Sequence, residues 1–327
     1  MARPKVYVTR KIPEPGLAIV KAAADVSAWE REDVPPPRDV LQREAADADG
    51  LLSLLTDSID AALMDTAPRL KVVSNFAVGY DNIDVPAATA RGIVVTNTPE
   101  VLTETVADFA FCLMVAAARR LVEADAYTRA GRWKTWEPLL LAGQDVYGTT
   151  LGLIGLGRIG SAVARRAKGF GMQVLYFDVV RREDLEAAQG IEFRGMDDVL
   201  RTSDFISVHV PLSAQTRHLI SGPQFALMKP TAVFVNTSRG PVVDQAALAE
   251  ALRMRTIYAA GIDVFEREPI DPDDPLLKLD NVTVAPHIAS ASVPTRVKMA
   301  TLAAENLVAV LEGRRPPNPV NPDVLAK

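Results

Sequence analysis

The strongest constraint on the fold lies near the middle of the chain, where a glycine-rich run separates a strand-like segment from a helix-forming one. The run is Gly155-Leu156-Gly157-Arg158-Ile159-Gly160. It follows Thr149–Ile154, which is rich in apolar and β-branched residues, and precedes Ser161–Ala167, which favours a helix. A second strand-like segment, Gln173–Phe177, leads directly into Asp178. This order predicts a βαβ unit with a parallel sheet.

The glycine-rich run has the composition that binding of a dinucleotide requires. Its first glycine allows a tight turn, its second lets the backbone approach a pyrophosphate, and its third lets helix and strand pack closely. The helix N-terminus would face the phosphates, and Asp178 would accept hydrogen bonds from a ribose. We therefore predict NAD as the cofactor. NADP stays an alternative, because Arg181 and Arg182 follow Asp178 closely enough to reach a 2′-phosphate.

Composition limits the class of protein. The 327 residues, 48% hydrophobic and 24% charged, suit a globular protein of two domains. A formal charge of −5 with scattered basic residues predicts no nucleic-acid partner. The apolar run Phe109–Val115 is too short to span a bilayer, so no membrane partner is expected. The single cysteine, Cys112, excludes an intrachain disulfide framework and is predicted to be an inert core thiol. A strand expected from Lys5 would leave no room for a signal peptide, and we expect a cytoplasmic protein that needs no metal.

Strand-like and helix-like segments alternate along most of the chain, which predicts two α/β units. Strands are predicted at Lys5–Thr9, Asp25–Trp29, Gly50–Leu54, Leu70–Ser74 and Gly92–Thr96, and later at Asp204–Val208, Thr231–Asn236, Ala259–Val264 and Val282–Ala285. A long apolar helix is predicted from Pro99 to about Leu121, and another from Pro294 to Leu311. The sequence does not indicate which unit the last helix packs on.

Arg239, Glu268 and His287 each follow a predicted strand of the second unit. Ligands bind at the carboxyl ends of strands in open α/β sheets, so these residues are candidates for chemistry. Hydride transfer to a carbonyl needs a proton donor, commonly histidine. Taken alone, each residue also has a purely structural interpretation: Arg239 as a salt-bridging arginine, Glu268 as a solvent-exposed acid and His287 as a loop histidine. Of the other histidines, His209 is expected to line the cofactor groove or pack there, and His218 to occupy a surface turn.

Five motifs in the same order closely resemble the D-isomer-specific 2-hydroxyacid dehydrogenases, essentially from end to end. They are Gly79-Tyr80-Asp81-Asn82-Ile83-Asp84, the glycine-rich run, Asn236-Thr237-Ser238-Arg239-Gly240, Asp263-Val264-Phe265-Glu266-Arg267-Glu268-Pro269 and Pro286-His287. Within the family, the chain is most similar to the glyoxylate and hydroxypyruvate reductases. The stretches that carry this likeness are Phe76–Asn82, Val95–Pro99 and Trp133–Trp136.

The resemblance implies an α/β fold of two doubly wound parallel-sheet domains. A flavodoxin-like substrate-binding domain would comprise residues 1–100 and 288–327. A Rossmann coenzyme domain, residues 101–287, would be inserted into it, with the active site in the cleft. The resemblance also implies a homodimer, formed by the helix after Pro99 and the arm that carries Trp133 and Trp136.

Roles for individual residues follow from the same resemblance. Arg239 would bind the substrate, His287 would be the acid/base and Glu268 its partner. The backbone amides of Val78 and Gly79 would bind the substrate carboxylate. Together with these residues, others are predicted to contact the substrate or the cofactor. The predicted substrate contacts are Leu54, Val78, Gly79, Arg239, His287 and Trp136. The predicted cofactor contacts are Thr105, Gly155, Leu156, Gly157, Arg158, Ile159, Gly160, Asp178, Arg181, Val210, Pro211, Thr216, Thr237, Ser238, Arg239, Asp263, His287 and Ala289.

The expected activity is NAD(P)H-dependent reduction of a small 2-oxoacid, such as glyoxylate or hydroxypyruvate, to the D-2-hydroxyacid. Two alternatives stay open. One is another D-2-hydroxyacid dehydrogenase, such as one acting on 3-phosphoglycerate. The other is a protein-binding module, an NAD-sensing corepressor of related fold, since such proteins are similar at the same three residues.

Overall fold

The computed structural model describes residues 2–326, which divide into two compact units. The first unit comprises the chain up to Leu102 and the segment from Ala291 onward. Its core is a five-stranded parallel sheet in the order β2-β1-β3-β4-β5. This is the flavodoxin-like order of doubly wound sheets. The strands are β1 (Lys5–Val8), β2 (Asp25–Ala28), β3 (Gly50–Ser53), β4 (Val72–Asn75) and β5 (Val94–Thr96).

Helices cover this sheet, and the last helix of the chain is among them. The helices of the first unit are α1 (Glu14–Ala23), α2 (Arg38–Ala46), α3 (Ala61–Asp65), α4 (Val85–Ala90) and α12 (Val293–Leu311). The face of α12 that packs on α1 and the central strands is lined mainly by alanine, with Met299 and Leu307. These small residues let α12 lie close enough for the Ser74 hydroxyl of β4 to donate to the Ala303 carbonyl oxygen at 2.8 Å. The structure therefore places α12 in the first unit.

The second unit, Thr103–Ser290, contains a seven-stranded parallel sheet. Its strands are β6 (Thr150–Ile154), β7 (Gln173–Phe177), β8 (Glu192–Phe193), β9 (Phe205–Val208), β10 (Val233–Asn236), β11 (Ala259–Ile262) and β12 (Val282–Val284). They are ordered β12-β11-β10-β9-β6-β7-β8. The order reverses between β6 and β9, which is where doubly wound sheets bind ligands. Two doubly wound α/β sheets confirm the predicted fold class.

Seven α-helices accompany this sheet in the described part of the chain. They are α5 (Thr103–Ala118), α6 (Leu121–Arg129), α7 (Arg158–Gly169), α8 (Glu183–Gln189), α9 (Met196–Thr202), α10 (Gly222–Leu227) and α11 (Gln245–Arg253). Short 3₁₀ turns lie at Gly240–Val242 and Pro275–Lys278 in this unit and at Pro322–Ala326 in the first unit. Within residues 2–326, no helix has both the length and the apolar character needed to cross a membrane.

The helix predicted from Pro99 to about Leu121 is present as α5, but its bounds and one of its residues differ from the prediction. It ends at Ala118, because Arg120 takes a left-handed backbone conformation (φ 53°), and α6, which was not predicted, begins at Leu121. Cys112, expected in the core, is exposed. It shares a helix face with Asp108, four residues earlier, while the opposite face of α5 packs on the sheet.

The predicted strands are all present, with bounds that differ from the prediction by at most two residues. The short strand β8 was missed. It pairs only with β7, so it lies at the edge of the sheet and lacks the long apolar run of a central strand.

Candidate active site

Three loops of the second unit meet along one edge of its sheet. The register places Asn236 of β10 opposite Ile262 of β11, and Ile262 opposite Val284 of β12. Backbone hydrogen bonds continue past the strand ends, from Asp263 N to Asn236 O at 3.0 Å and from His287 N to Asp263 O at 2.8 Å. Residues that follow these three strands are therefore held side by side at the carboxyl edge.

Arg239 lies in a tight loop that Asn236 closes. The buried Asn236 side chain accepts a hydrogen bond from Ser238 N at 3.0 Å and donates one to Arg239 O at 3.0 Å. The guanidinium is half-buried, and its Nη1 donates to the Ser238 carbonyl oxygen at 2.9 Å. An asparagine at the end of the strand thus sets where the backbone of Arg239 leaves the sheet.

His287 is paired with Glu268. A 2.7 Å hydrogen bond joins His287 Nδ1 to Glu268 Oε2, and Phe265 N donates to the other carboxylate oxygen at 3.0 Å. Both side chains are about one-quarter exposed, at 23% and 26%. Because an ionised carboxylate only accepts, Nδ1 carries the proton and Nε2 is the atom left to exchange a proton with a ligand.

The electrostatics of Glu268 favour the ionised carboxylate. Burial by itself would raise the pKa of this carboxyl. The hydrogen bond and charge of His287, the Phe265 amide and the charge of Arg239 outweigh burial and hold the Glu268 pKa below its usual value. The charge of Arg239 therefore acts on the same carboxylate that orients His287.

Asp263 anchors the backbone on both sides of His287. Its carboxylate is fully buried and accepts hydrogen bonds from Ile288 N at 2.8 Å and Ala289 N at 2.9 Å. Burial raises the pKa of Asp263 against these hydrogen bonds. His287 itself has a left-handed backbone (φ 54°), which these contacts hold in place. Asp263, predicted as a cofactor contact, thus supports the histidine loop.

The glycine-rich run forms a turn between β6 and α7 with each glycine in a different situation. Gly155 has φ 96°, a conformation that favours glycine, and a Cβ on Gly160 would lie 2.2 Å from Gly155 O. A Cβ on Gly157 would meet no described atom within 4 Å. Gly157 is also the N-cap of α7, and no side chain caps that helix. Open space at the N-terminus of this helix fits the pyrophosphate of a dinucleotide.

Asp178 lies at the end of β7 beside this turn. Its Oδ2 accepts a hydrogen bond from Leu156 N at 2.6 Å, and its Oδ1 one from Val180 N at 3.2 Å. The two arginines that follow are each held by an acid: Arg181 bonds Glu186 through two nitrogens, at 2.8 and 2.9 Å, and Arg182 bonds Asp184 in the same way. A 2′-phosphate would have to compete with these carboxylates.

The remaining predicted cofactor residues are spread over the second unit. Val210 packs where a Cβ on Gly155 would be, and Pro211 O accepts from the Thr216 hydroxyl at 2.6 Å. The Thr237 hydroxyl is buried, and none of the described residues pairs with it. Of the others, Arg158 and Ile159 begin α7, Thr105 lies in the first turn of α5, and Ala289 is buried.

The predicted carboxylate-binding residues lie in the first unit, after β4. Val78 O accepts a hydrogen bond from Asn97 Nδ2 at 2.7 Å, and Gly79 O accepts one from Asn75 Nδ2 at 2.9 Å. Within residues 2–326, the backbone N–H groups of Val78 and Gly79 donate no hydrogen bond. Leu54, also predicted to contact substrate, is half-buried in the loop after β3. These residues therefore belong to loops at the carboxyl ends of neighbouring strands of the first sheet.

The other two histidines have structural surroundings. Burial lowers the pKa of His209 to about 4, so its ring is neutral, and it bonds the Ser207 hydroxyl at 2.9 Å. His218 is exposed, and its Nε2 lies 2.7 Å from Glu266 Oε1. Trp136 is 77% exposed. Among the described residues, no three histidine, cysteine or acidic side chains are grouped to hold a metal ion.

The sequence predictions missed three asparagines that hold loops in the two units. Asn236, Asn75 and Asn97 orient the backbone around predicted site residues, yet none was predicted to act there. Their one visible signal was a polar residue at the end of an apolar strand. Such a signal does not specify which backbone group the amide bonds.

The match to a known family agrees with this geometry. Residues 111–289, more than half of the chain, match the model of the D-isomer specific 2-hydroxyacid dehydrogenase, NAD binding domain. The chain belongs to this family. It is therefore an NAD(P)-dependent oxidoreductase, which confirms the resemblance stated from the motifs.

Relatives of the chain match it over nearly its whole length. It is 56% identical to a glyoxylate reductase of Korarchaeum cryptofilum over 324 residues, covering 99% of this chain and 97% of the relative. A glyoxylate reductase of Thermofilum pendens is 53% identical, with 99% and 96% covered.

Solved structures give the same result. A protein of Thermus thermophilus is 44% identical with a TM-score of 0.91, covering 97% of this chain and 99% of that one. An NADPH-dependent glyoxylate/hydroxypyruvate reductase of Sinorhizobium meliloti, in complex with NADP and malonate, is 37% identical with a TM-score of 0.84. The match covers 98% of this chain and 97% of that one.

Proposed function

We propose that this protein reduces a small 2-oxoacid, glyoxylate or hydroxypyruvate, to the D-2-hydroxyacid. The observation that carries the proposal is the His287–Glu268 hydrogen bond of 2.7 Å at the carboxyl edge of a dinucleotide-binding sheet. Arg239 at the same edge and relatives named glyoxylate reductase at 56% and 53% identity support it.

His287 is the proton donor in this proposal. Glu268 accepts a hydrogen bond from the Nδ1–H group, so Nε2 gives its proton to the substrate's carbonyl oxygen during reduction and takes one back during oxidation. The anionic carboxylate stabilises the positively charged ring before that transfer. A reduced nicotinamide, when bound, supplies the hydride.

Arg239 holds the substrate at the edge of the second sheet. We propose that the Arg239 guanidinium binds the substrate carboxylate and polarises the carbonyl, since its planar fork matches a carboxylate. In the first unit, we propose the amides of Val78 and Gly79 as carboxylate-binding groups. Neutralised charge around the oxygens stabilises the transition state.

Turnover of a substrate panel tests the proposal. Purified protein is mixed with NADH or NADPH and with glyoxylate, hydroxypyruvate, a bulky 2-oxoacid or 3-phosphohydroxypyruvate, and absorbance at the nicotinamide band is followed. We expect the highest kcat/KM with glyoxylate or hydroxypyruvate. Preference for the phosphorylated acid would favour the phosphoglycerate alternative. Tight NADH binding without turnover of any acid would favour the corepressor alternative.

NAD(H) is the proposed coenzyme, because Asp178 would accept hydrogen bonds from the adenosine ribose and repel a 2′-phosphate. Replacing Asp178 with Ser should shift the ratio of kcat/KM for NADH and NADPH towards NADPH by roughly 10- to 100-fold, the value of a hydrogen bond to a charged group. Asp197→Ser, an exposed acid in the first turn of α9, is the matched control and should leave the ratio unchanged. A wild-type protein that prefers NADPH would contradict the assignment.

We also propose a homodimer that forms through α5, α6 and the arm that follows them. Large apolar side chains are exposed there: Leu121, Val122, Trp133, Trp136, Leu139 and Tyr147. Such groups typify protein interfaces. In the dimer, Trp136 would limit the substrate pocket of the partner subunit and favour small acids.

A cytoplasmic location of the protein stays a prediction, for which the single cysteine is one argument.

Trp136→Ala separates a pocket role from packing. If Trp136 limits the pocket, the variant should stay dimeric by sedimentation, and its kcat/KM ratio for large over small 2-oxoacids should rise by about tenfold, the value of one or two methylene contacts. Trp133→Ala, on the same arm and 59% exposed, is the comparison. Dimer loss with an unchanged ratio would assign Trp136 to packing alone.

A further inference from the structure

We propose that Asn75 and Asn82 are positioning residues that fix the turn carrying the Val78 and Gly79 amides in the place where these amides can bind a carboxylate. The inference rests on the proposed function, because it assigns these amides to the substrate. It concerns only the first unit, where Asn75 ends β4 and most of the other groups lie in the loops that follow β3, β4 and β5.

The two amides point to one side because of what holds the preceding carbonyls. Ala77 O accepts a hydrogen bond from Thr98 N at 2.9 Å, and Val78 O accepts one from Asn97 Nδ2 at 2.7 Å. In a trans peptide, the N–H points opposite to the C=O of the same plane. Both carbonyls face residues 97–98, so the N–H groups of Val78 and Gly79 both point away from that segment. Successive amides aimed to one side form an anion-binding concavity.

Asn75 sets where this turn ends. Its side chain is fully buried, and its Nδ2 donates to Gly79 O at 2.9 Å and to Asn82 Oδ1 at 3.1 Å. Its Oδ1 accepts from the Ser53 hydroxyl at 3.1 Å. The peptide that follows Gly79 is therefore fixed by a residue that is itself anchored in the neighbouring strand β3.

Asn82 joins this turn to the loop that carries Leu54. Its Nδ2 donates to Leu54 O at 3.1 Å and to Asp57 O at 2.9 Å. The Asp57 carboxylate accepts from Leu54 N at 2.8 Å and from the Thr9 hydroxyl, which closes the same loop from the other side. Asn75 and Asn82 therefore fix two loops as one body, and both loops contain predicted substrate contacts.

Asn321 offers a matched control, because its buried side chain also bonds backbone groups of the first unit but contacts neither of these loops. It is buried, accepts from Val95 N at 2.8 Å and donates to Ile93 O and the Thr89 hydroxyl, each at 2.9 Å. Asn321→Ala removes three hydrogen bonds from the first unit, one fewer than Asn82→Ala, without touching residues 54–82 or 97–98. It therefore reports the effect of lost stability alone.

The test compares Asn82→Ala and Asn75→Ser with Asn321→Ala in the full-length protein. We expect the two former variants to raise KM for glyoxylate roughly 10- to 100-fold, the value of one hydrogen bond to a charged group. The change in kcat should be smaller, and the Kd of NADH should stay unchanged. Thermal unfolding midpoints should fall similarly in all three variants, while Asn321→Ala keeps a normal KM.

Binding of oxalate, a dicarboxylate without a reducible carbonyl, gives a readout that does not depend on turnover. By calorimetry on the protein with NADH, the oxalate Kd should rise in Asn82→Ala and Asn75→Ser in parallel with KM. Unchanged oxalate and glyoxylate affinities, with lower stability alone, would overturn the inference. So would an equal loss of affinity in Asn321→Ala. If Asn75→Ser does not fold, the test rests on the affinities of Asn82→Ala, because Asn82 is half-exposed.

Failure of the proposed function would look different. Wild-type protein that binds oxalate but turns over no 2-oxoacid would contradict the activity and leave the positioning role measurable through the oxalate Kd.

Discussion

His287→Ala is expected to lower kcat by about two to four orders of magnitude, the usual contribution of a general acid. The ring supplies the proton in the proposed reaction, and the substitution also removes the 2.7 Å hydrogen bond from Nδ1 to Glu268. The Kd of NADH should change little, because the glycine-rich turn and Asp178 are untouched. Steady-state kinetics with glyoxylate and a fluorescence titration with NADH measure the two effects.

Two further variants support the interpretation of that result. His287→Asn tolerates the left-handed backbone at this position (φ 54°) better than Ala does, so it separates lost chemistry from a distorted loop. His218→Ala is the matched control, because His218 also pairs with a glutamate at 2.7 Å but is exposed in a turn. Near-normal turnover by both His287 variants would remove the histidine from its proposed role.

Arg239→Ala is expected to lower kcat/KM by about a hundred- to a thousandfold, the usual range when one partner of a buried charge pair is removed. Both KM and kcat should be affected, since the guanidinium is proposed to contact the substrate carboxylate and the carbonyl oxygen. Arg239→Lys keeps the charge but not the bidentate geometry and should recover only part of the loss. A normal KM in Arg239→Ala would place substrate binding elsewhere.

Much of the fold was predictable from local patterns. The turn at Gly155–Gly160 depends on the backbone freedom of Gly155 and the close approach at Gly160. Both properties follow from the presence of glycine at these positions, which the sequence shows directly. Apolar runs of four or five residues indicated the strands, because a parallel sheet is covered on both faces. Parallel strands also bring their carboxyl ends to one edge, so polar residues that follow strands were reasonable candidates for a site.

The predictions about the helix α5 failed where tertiary packing decides which of its residues are buried and where it ends. Cys112 lies in an apolar run, yet its side chain is exposed because the face that includes Leu113 and Met114 packs on the sheet. The break at Arg120 depends on a single left-handed residue with no glycine or proline to signal it. Composition does not determine which face of an apolar helix is covered.

The sequence by itself determined the fold class and the dinucleotide-binding turn, because both depend on residues close together in the chain. Only the tertiary structure decided which side chains meet. Ser74 bonds Ala303 across 229 positions, which puts α12 in the first unit, and Glu268 meets His287 only because β11 and β12 lie side by side. The asparagine contacts around Val78 and Gly79 were equally unpredictable. A buried amide must find hydrogen-bond partners, and their identity is set by the packing of strands far apart in the chain.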